Sequence, residues 1–573
     1  MSTATNELYQ LWKANATQDE DLVKELAAIE GNEDEIYERF YKELEFGTAG
    51  LRGIIGAGCN RMNIYTVART TQGLANYLNE KYENPSVAIA YDSRIKADVF
   101  AKECAAVLAA NGVKAFISTE LQPTPVLSFA VRELKCQAGI MITASHNPAK
   151  YNGYKCYGSD GCQMTDVDAN IVYDEIQKVD IFNDIKKVDF EEGLKSGMIT
   201  FIEDSLYETY LDNVQAQAIN PGLCEGSTFK IVYTPLNGAG NKLVRKVLSR
   251  IGIKDVIVVP EQELPDGNFP TCPSPNPEIR EALELAIALA DKENADLILA
   301  TDPDSDRVGI AVKNKDGSLR LFTGNETGIM LTNYILSCRK ANGTLPEKPV
   351  AVKTIVSSVL VEKICERFGC ELKNVLTGFK YIGDQILRLE KKNEEYRYVF
   401  GFEESYGYLA GTYVRDKDAV VGSMLICEMA AYYAKQGKTL CDVIDGLYEE
   451  YGYFKNTTLN FAFEGAAGMD KMQSLMNNLR ENPLKEVAGI KVIKTVDYKA
   501  SEAIDLLTGE KTILDLPKSN VLEYGLEGDC KLIIRPSGTE PKIKAYVTAV
   551  GKTSEEADAC TKVLVEAAGQ IIS

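Results

Sequence analysis

Residues 86–119 read SVAIAYDSRIKADVFAKECAAVLAANGVKAFIST, and this stretch decides the fold class. The apolar run SVAIAY ends in the turn-forming residues Asp92 and Ser93, as a buried strand does. The following residues carry apolar side chains at helical spacing up to Gly112, which closes the helix. KAFIST then repeats the strand pattern. A strand, a helix and a second strand in this order predict an α/β layer with parallel or mixed strands.

The same alternation recurs further along the chain. It is seen in CQAGIMITAS (136–145), STFKIVYTPLNGAG (227–240), ADLILATDPDSD (295–306) and KPVAVKTIVSS (348–358). After about residue 453 the pattern changes to short strands with tight turns and a long C-terminal helix, which indicates an α+β domain. Breaks in the pattern predict four domains, the first with an N-terminal helical extension: 1–204, 205–320, 321–452 and 453–573.

Charge and cysteine usage exclude several classes of protein. The chain has 573 residues and a net charge of −20, which disfavours binding to nucleic acid or to an anionic membrane. Its longest apolar run, at 419–434, contains Glu428 and is too short to span a bilayer. The fourteen cysteines are scattered without a CxxC pair, and the N-terminus lacks the features of an export signal. Together these features predict a cytoplasmic protein with reduced thiols.

The chain contains a single histidine, His146. Zinc sites built from several histidines are therefore impossible within one chain, which argues against a serine phosphatase of the alkaline type. Any acid–base step that does not use His146 must rely on lysine, aspartate, glutamate, tyrosine or water.

The loop TASHNP, at 143–148, follows a predicted strand. Its small and turn-forming residues suit an exposed bend at a strand end. Ser145 is a candidate nucleophile there, provided that a base or a polarised phosphate activates it. An ordinary Ser/Asn turn that caps the next segment fits the same residues.

The loop DPDSDR, at 302–307, carries three carboxylates at alternate positions. They lie on one side if the loop is extended, and without a cation they repel one another. Oxygen ligands of this kind favour Mg²⁺ or Ca²⁺. An EF-hand is excluded because Arg307 and Lys313 occupy the positions that need Gly and Glu. The alternative is a solvated acidic turn.

Two further loops combine polar groups with glycine. GFEESYGY, at 401–408, offers carboxylates and aromatic rings of the kind that bind sugars. RPSGTEP, at 535–541, offers an arginine, hydroxyls and main-chain N–H groups that could hold a phosphate. It does not match the nucleotide-binding P-loop. A glycine-rich turn and a proline-stiffened hairpin are the respective alternatives.

These four loops, in this order and preceded by EFGTAGLRG at 45–53, resemble the α-D-phosphohexomutase family from about Gly47 to the C-terminus. The resemblance is closest to the long subgroup that includes phosphoglucomutases and phosphopentomutases. It implies an α/β fold class: three related mixed-sheet α/β domains and a C-terminal α+β domain of TBP-like fold around a central cleft.

The resemblance also implies roles for individual residues. Ser145 would be stored as phosphoserine and would share one Mg²⁺ with Asp302, Asp304 and Asp306. The groups expected to stabilise the transferred phosphate are His146, Lys155, Arg307 and Arg52. Thr377 and Gly378 are followed by Phe379 where some family members have histidine, so Lys380 or Lys417 is expected to transfer the proton. The expected substrate ligands are Glu403, Ser405, Arg307, Thr377, Gly378, Arg535, Ser537, Gly538 and Thr539.

The implied reaction interconverts glucose 1-phosphate and glucose 6-phosphate through phosphoserine and glucose 1,6-bisphosphate. Ribose, deoxyribose and mannose phosphates are the alternative substrates. An inactive phosphosugar-binding regulator would be expected to lack Ser145 or one of the three aspartates, and all of them are present. The expected partner is a phosphosugar alone, without nucleic acid or membrane, and the expected state is a monomer or weak homodimer.

Overall fold

The structure is a computed structural model that describes residues 3–47, 50–314, 316–463, 468–537 and 542–573. The chain forms two compact units. Unit 1 comprises residues 1–321, 383–398 and 407–432. Unit 2 comprises residues 322–382, 399–406 and 433–573.

Helices occur throughout the described residues. They are α1 Thr3–Asn15, α2 Glu20–Ala28, α3 Glu33–Phe40, α4 Ile64–Lys81, α5 Ala97–Ala110, α6 Thr124–Glu133, α7 Asp166–Gln177, α8 Phe190–Ser196, α9 Asp204–Gln215, α10 Gly240–Arg250, α11 Pro260–Glu263, α12 Arg280–Glu293, α13 Gly324–Ala341, α14 Leu360–Phe368, α15 Phe379–Glu390, α16 Ala419–Ala434, α17 Leu440–Tyr451, α18 Gly468–Glu481 and α19 Ser554–Ile572.

Strands alternate with these helices up to about residue 409 and dominate after residue 452. They are β1 Gly50–Ile54, β2 Ser86–Tyr91, β3 Lys114–Ile117, β4 Ala138–Ile142, β5 Tyr151–Gly158, β6 Ile199–Phe201, β7 Ile231–Thr234, β8 Val256–Val258, β9 Leu297–Thr301, β10 Val308–Lys313, β11 Leu319–Leu321, β12 Val350–Thr354, β13 Glu371–Val375, β14 Tyr398–Glu403, β15 Gly407–Leu409, β16 Tyr453–Ala462, β17 Glu486–Val487, β18 Ile490–Asp497, β19 Glu502–Asp505, β20 Lys511–Ile513, β21 Leu522–Leu526, β22 Lys531–Pro536 and β23 Lys542–Gly551.

The N-terminal helices α1 to α3 belong to the core of unit 1. Trp12, only 1% exposed, makes edge contacts with Phe40, Tyr65 and Phe182 at ring-centre distances of 6.0, 5.7 and 5.4 Å. Aromatic pairs at these distances favour edge-to-face packing over a direct sandwich. The helical extension predicted from the sequence is thus present, and its apolar face is buried.

The first sheet of unit 1 has the strand order β1-β5-β4-β2-β3-β6. β2 runs parallel to β3 and β4, whereas β5 runs antiparallel to β4 and β1. Because β2 and β4 are parallel neighbours, the loops that follow them leave the same edge of the sheet. Those loops begin at Asp92 and Thr143. Ligand sites of open α/β sheets lie at such carboxyl ends.

The second sheet of unit 1 has the order β11-β10-β9-β7-β8. β7 is parallel to β8 and β9, and β9 and β10 form an antiparallel hairpin with Thr301 opposite Val308. Residues 302–307 are the turn of this hairpin. The position of DPDSDR at a strand end, predicted from the sequence, is confirmed.

Unit 2 contains two sheet regions. In one, β12 and β13 are parallel, and β14 borders β12. In the other, the C-terminal strands follow the order β16-β23-β22-β21-β18-β19-β20, and α18 and α19 cover one face over a core that includes Met476 and Leu564. The opposite face packs against residues near β12: Val496, Ile533 and Tyr546 share a buried cluster with Ile355 and Leu376.

The predicted fold class is confirmed, with mixed α/β sheets followed by a β-rich C-terminal region that carries helices on one face. All fourteen cysteines lie in the described residues and have free thiols. Among the helices of the described ranges, none has the length and apolar character needed to cross a bilayer.

Candidate active site

The loop after β4 holds Ser145 in an unusual backbone conformation. Its φ angle is +54°, in the left-handed region that costs energy for residues other than glycine. The hydroxyl of Thr143 accepts a hydrogen bond from the main-chain N–H of Ser145 at 2.8 Å and donates one to Asp92 at 2.6 Å. Ser145 is 3% exposed. Surrounding contacts must maintain this conformation, as is common at functional sites.

The turn after β9 brings the three aspartates together. Asp302 Oδ1 accepts hydrogen bonds from the main-chain N–H groups of Asp306 and Arg307 at 3.1 and 3.0 Å. These bonds close the turn around the Asp302 side chain. The loop is therefore a tight hairpin turn and is not extended. The carboxylates converge because the turn folds around the Asp302 side chain, and alternation of side chains along an extended strand does not explain it.

The three carboxylates form a site suited to a hard cation. Asp302, Asp304 and Asp306 each offer an oxygen within 4.8 Å of the others, and each side chain is at most 1% exposed. Asp304 Oδ1 and Asp306 Oδ1 accept no hydrogen bond from the described residues. Burial, together with the charges of Asp304 and Asp306, raises the pKa of Asp302 well above its usual value. A buried, all-oxygen donor set with free acceptor positions fits a divalent cation such as Mg²⁺.

Ser145 lies beside this carboxylate cluster. Its hydroxyl donates to Asp302 Oδ2 at 3.0 Å, and His146 Nδ1 lies 3.3 Å from the hydroxyl oxygen of Ser145. Burial and the nearby cations Arg307 and Arg52 lower the pKa of His146 to about 2. The imidazole is therefore neutral at physiological pH while Ser145 carries no phosphate.

Two lysines neutralise part of the cluster. Lys155, on β5, lies 2.8 Å from Asp304 and 3.3 Å from Asp306. Burial lowers the pKa of Lys155, but the two carboxylates raise it by more, so the net shift is upward. Lys417 lies 3.2 Å from Asp306 and 3.1 Å from Asp416. Both ammonium groups therefore lie close to carboxylates of the cluster.

Two arginines add positive charge near the carboxylate cluster. Arg307 lies 3.6 Å from Asp306 and 3.5 Å from Glu278. Arg52 is an exposed residue of β1, opposite Gly153 of β5 in the strand register. Its charge acts on Arg307, Asp304 and Asp306.

Several residues of the site were not singled out from the sequence. Asp92 and Arg94 support the Ser145 loop. Asp416 accepts a hydrogen bond from Tyr157 at 2.6 Å and pairs with Lys417, and its place next to Lys417 in VRDKDA was an available signal. Thr124 donates to Asp304 Oδ2 at 2.9 Å. Nothing local to Thr124 indicates that contact, because the two residues are brought together only by the tertiary fold.

The sugar-binding candidates lie in unit 2. Glu403 ends β14 and is 4% exposed, and Ser405 is half-buried in the following turn. The neighbouring Glu404 accepts a hydrogen bond from Thr354 at 3.0 Å. Thr377 and Gly378 immediately precede α15. Lys380 is half-buried, with Nζ 5.2 Å from the ring centre of Tyr381.

The phosphate-cradle candidates also lie in unit 2. Arg535 lies within β22 and not in the connecting loop, and its guanidinium donates to the hydroxyl of Tyr546 at 3.4 Å. Ser537 is half-buried, and its main-chain N–H donates to the carbonyl of Lys542 across the hairpin at 2.7 Å. Gly538 and Thr539 lie outside the described residues.

Unit 1 thus brings together one set of the predicted residues: Ser145, His146, Arg52, Lys155, Arg307, Lys417, Asp302, Asp304 and Asp306. The other predicted residues of the described ranges lie in unit 2: Glu403, Ser405, Thr377, Gly378, Lys380, Arg535 and Ser537.

Comparison with known proteins matches three successive family models, described as phosphoglucomutase/phosphomannomutase α/β/α domains I, II and III, to residues 43–181, 208–317 and 323–451. A phosphoglucomutase of Staphylococcus saprophyticus is 38% identical over 536 residues, covering 94% of this chain and 95% of that protein. One of Staphylococcus aureus is 38% identical over 512 residues, covering 89% and 90%. The crystal structure of the Paramecium phosphoprotein pp63/parafusin, a phosphoglucomutase, in an open form, matches with a TM-score of 0.68 at 16% identity, covering 93% and 95% of the two chains. This last likeness supports the fold.

Proposed function

Since the chain belongs to the phosphoglucomutase/phosphomannomutase family, we propose that it is a phosphoglucomutase, an isomerase that interconverts glucose 1-phosphate and glucose 6-phosphate. One observation carries the proposal. The Ser145 hydroxyl, held in a left-handed turn, is hydrogen-bonded to one member of a buried cluster of three carboxylates. A hydroxyl at this position can carry a phosphoryl group beside a cation site, as phosphoryl transfer requires.

The proposed reaction has two matched half-reactions. The free hydroxyl oxygen of the sugar monophosphate attacks the phosphorus of phosphorylated Ser145. The P–O bond to Ser145 breaks as the new P–O bond forms, the sugar hydroxyl loses its proton, and the serine oxygen gains one. The products are glucose 1,6-bisphosphate and unmodified Ser145. The bisphosphate then returns its other phosphoryl group to Ser145 and leaves as the isomeric monophosphate.

The proposed ligands of Mg²⁺ are Asp302, Asp304 and Asp306, together with an oxygen of the phosphate on Ser145. When bound, this ion supplies positive charge that stabilises the transferred group. The protein adds three cationic groups and the neutral imidazole of His146. Lys155 and Arg307 lie on the carboxylate cluster, and Arg52 and His146 are close enough to interact with it electrostatically. These four groups would stabilise the charge of the moving phosphoryl group.

Of the two candidate proton-transfer groups, Lys417 has contacts that support the role. Its ammonium lies 3.2 Å from Asp306 and 3.1 Å from Asp416. We therefore assign proton transfer to Lys417 and keep Lys380 as the alternative.

Substrate recognition is assigned to residues of unit 2. Glu403 and Ser405, with Thr377 and Gly378, would bind sugar hydroxyls. The phosphate that is not being transferred would be bound by Arg535, Ser537, Gly538 and Thr539. Arg535 would add charge-assisted hydrogen bonds. The expected partner is the phosphosugar alone. The free thiols support a reducing compartment, the cytoplasm.

The proposal is tested by measuring kcat/KM for each of four sugar 1-phosphates: those of glucose, mannose, ribose and deoxyribose. Each reaction contains Mg²⁺ and a trace of the matching bisphosphate, and conversion is followed by ³¹P NMR. We expect glucose 1-phosphate to give the highest kcat/KM. A higher value for a pentose or mannose phosphate would change the assigned substrate, and no conversion of any of the four would contradict the proposed function.

A further inference from the structure

We propose that Arg94 is a positioning residue that holds the Ser145 loop in the conformation needed for phosphoryl transfer. The inference rests on the proposed function for its kinetic consequence, but the contacts that carry it are independent of any substrate. Arg94 follows β2 in the sequence Asp92-Ser93-Arg94, at the sheet edge where the Ser145 loop begins.

The contacts of Arg94 with the Ser145 loop are all to main-chain carbonyl oxygens. Nη2 donates to the carbonyls of Ser145, at 2.6 Å, and of Asn147. Nη1 donates to those of Pro148 and Tyr151, at 3.1 and 2.8 Å. The Arg94 side chain is fully buried. One guanidinium thus satisfies four carbonyls of the seven-residue segment 145–151.

This arrangement requires arginine. Four carbonyls that converge on one point need several donors in a rigid plane, which the guanidinium supplies and a lysine ammonium does not. The bond to the Ser145 carbonyl fixes the peptide plane that follows the left-handed φ angle of +54°. Arg94 therefore acts on the conformation that directs the Ser145 hydroxyl towards Asp302.

Arg94 is itself held rigidly. Asp92 Oδ1 accepts from the main-chain N–H of Arg94 at 2.9 Å, and Asp92 Oδ2 lies 3.5 Å from Nε. The guanidinium carbon lies 5.3 Å from the ring centre of Phe269, within the range of a cation–π contact. Asp92 also accepts the hydroxyl proton of Thr143, whose oxygen accepts from Ser145 N–H. A closed ring of contacts thus joins Arg94, Asp92, Thr143 and Ser145.

Arg94 does not act on the reacting oxygen directly. The Ser145 hydroxyl donates to Asp302, whereas the four Arg94 contacts are to main-chain carbonyls. Loss of Arg94 should therefore misplace the nucleophile without removing a substrate contact. A misplacement of about 1 Å can cost on the order of 100-fold in rate.

The test uses the full-length variants Arg94→Met and Arg94→Lys, with Arg61→Met as the matched control. Arg61 is also a buried arginine, 8% exposed, that donates to main-chain carbonyls, those of Glu38 and Asn60. Steady-state kinetics gives kcat and KM for glucose 1-phosphate. Hydrogen–deuterium exchange without substrate gives the protection of the amides in segment 143–151.

For Arg94→Met we expect kcat to fall about 100-fold with KM changed less than about threefold, and faster exchange in segment 143–151. Arg94→Lys keeps the charge and favours folding, and we expect at least about a tenfold fall in kcat with the same local increase in exchange. Arg61→Met should leave kcat and exchange in that segment unchanged.

Wild-type exchange in 143–151 for both Arg94 variants would overturn the proposal, as would wild-type kcat. If the wild type converts none of the sugars, the proposed function fails, while the exchange data still decide whether Arg94 holds the loop.

Discussion

The hydroxyl oxygen of Ser145 lies 3.0 Å from Asp302 Oδ2, although the two residues are 157 positions apart. Ser145 follows a strand of the first sheet of unit 1, and Asp302 follows a strand of the second. The candidate nucleophile and the candidate cation site therefore come from separate sheets. Their contact depends on how those sheets pack within unit 1, and short-range sequence patterns do not encode it.

Replacing Ser145 by alanine should abolish mutase turnover, because the proposed mechanism has no other acceptor for the phosphoryl group. Intact mass spectrometry of the wild type should show a fraction heavier by one phosphoryl group, which maps to Ser145 and is absent from Ser145→Ala. The exposed Ser159 offers a control, since Ser159→Ala should keep both the modification and the activity. Near-normal turnover by Ser145→Ala would contradict covalent catalysis.

Removal of divalent cations should abolish activity, and added Mg²⁺ should restore it. Asp304→Asn should lower kcat far more than it raises KM, because Asp304 belongs to the carboxylate cluster rather than to the sugar-binding set. Electron paramagnetic resonance with Mn²⁺ should show weaker cation binding by this variant. The exposed Asp316, a few residues beyond the turn, is the control, and Asp316→Asn should behave as the wild type. Full activity in excess chelator would exclude the metal role.

Arg535→Ala should lower kcat/KM in both directions of the reaction. In the proposed mechanism each phosphate of the bisphosphate would bind beside Arg535 in turn, so both monophosphates would lose the same contact. Loss of a hydrogen bond to a charged group costs about 1.5–3 kcal/mol, or roughly 10- to 150-fold. Arg367→Ala removes an exposed arginine of the same unit, one that pairs with Glu450, and should change neither direction. An effect confined to one direction would mean that the two orientations use different cradles.

Lys353→Met should stabilise the protein at pH 7. Lys353 is fully buried on β12, 3.3 Å from Glu362. Burial lowers its pKa from 10.5 to about 8, and the ammonium of Lys531 adds to this effect, whereas Glu362 and Glu523 oppose it. Below pH 8 the folded protein carries this buried charge, at a cost of about 3 kcal/mol. Methionine removes that cost but also loses the Glu362 pair and the hydrogen bond from Lys353 Nζ to the carbonyl of Ser357 at 3.3 Å, so we expect a gain of about 1–3 kcal/mol.

The sign of the pH dependence provides an internal check. Between about pH 8 and 10.5 the unfolded chain keeps a proton on Lys353 that the folded chain has released, so wild-type stability gains from this group as pH rises. The advantage of Lys353→Met in calorimetric melting should therefore shrink over that window. Lys531→Met is the contrasting control. It removes the cationic partner of the buried Glu523, at 3.2 Å, and leaves only the hydroxyl of Tyr498 as a hydrogen-bond partner among the described residues, so it should destabilise the protein. An advantage of Lys353→Met that stays constant with pH would contradict the assigned shift.

The sequence predicted the strand-end positions of Ser145 and the three aspartates, because strands and turns have local patterns. It did not predict that residues 302–307 close a turn around the Asp302 side chain, since hydrogen bonds to a carboxylate depend on the exact backbone path. The limits of the four predicted domains stay a prediction. The two compact units group the chain differently, because the C-terminal sheet shares a buried core with residues near β12.

Arg94 shows why other site residues could not be found from the sequence. Its side chain recognises four main-chain carbonyls, and a carbonyl has the same chemistry whatever the residue type. The contact exists because β2 and β4 are neighbours in the sheet, which is a property of topology. The same applies to Thr124 and Asp304, which are 180 residues apart.

The division of the candidate residues between the two units has an evolutionary consequence. Ser145 and the carboxylate cluster lie in unit 1, whereas Glu403 and Arg535 lie in unit 2 with a core of its own. Under the proposed assignment, a substitution in unit 2 that alters sugar preference need not disturb the buried charges of the carboxylate cluster in unit 1. We expect descendants of such a chain to diversify in the sugars they accept while inheriting the same chemistry.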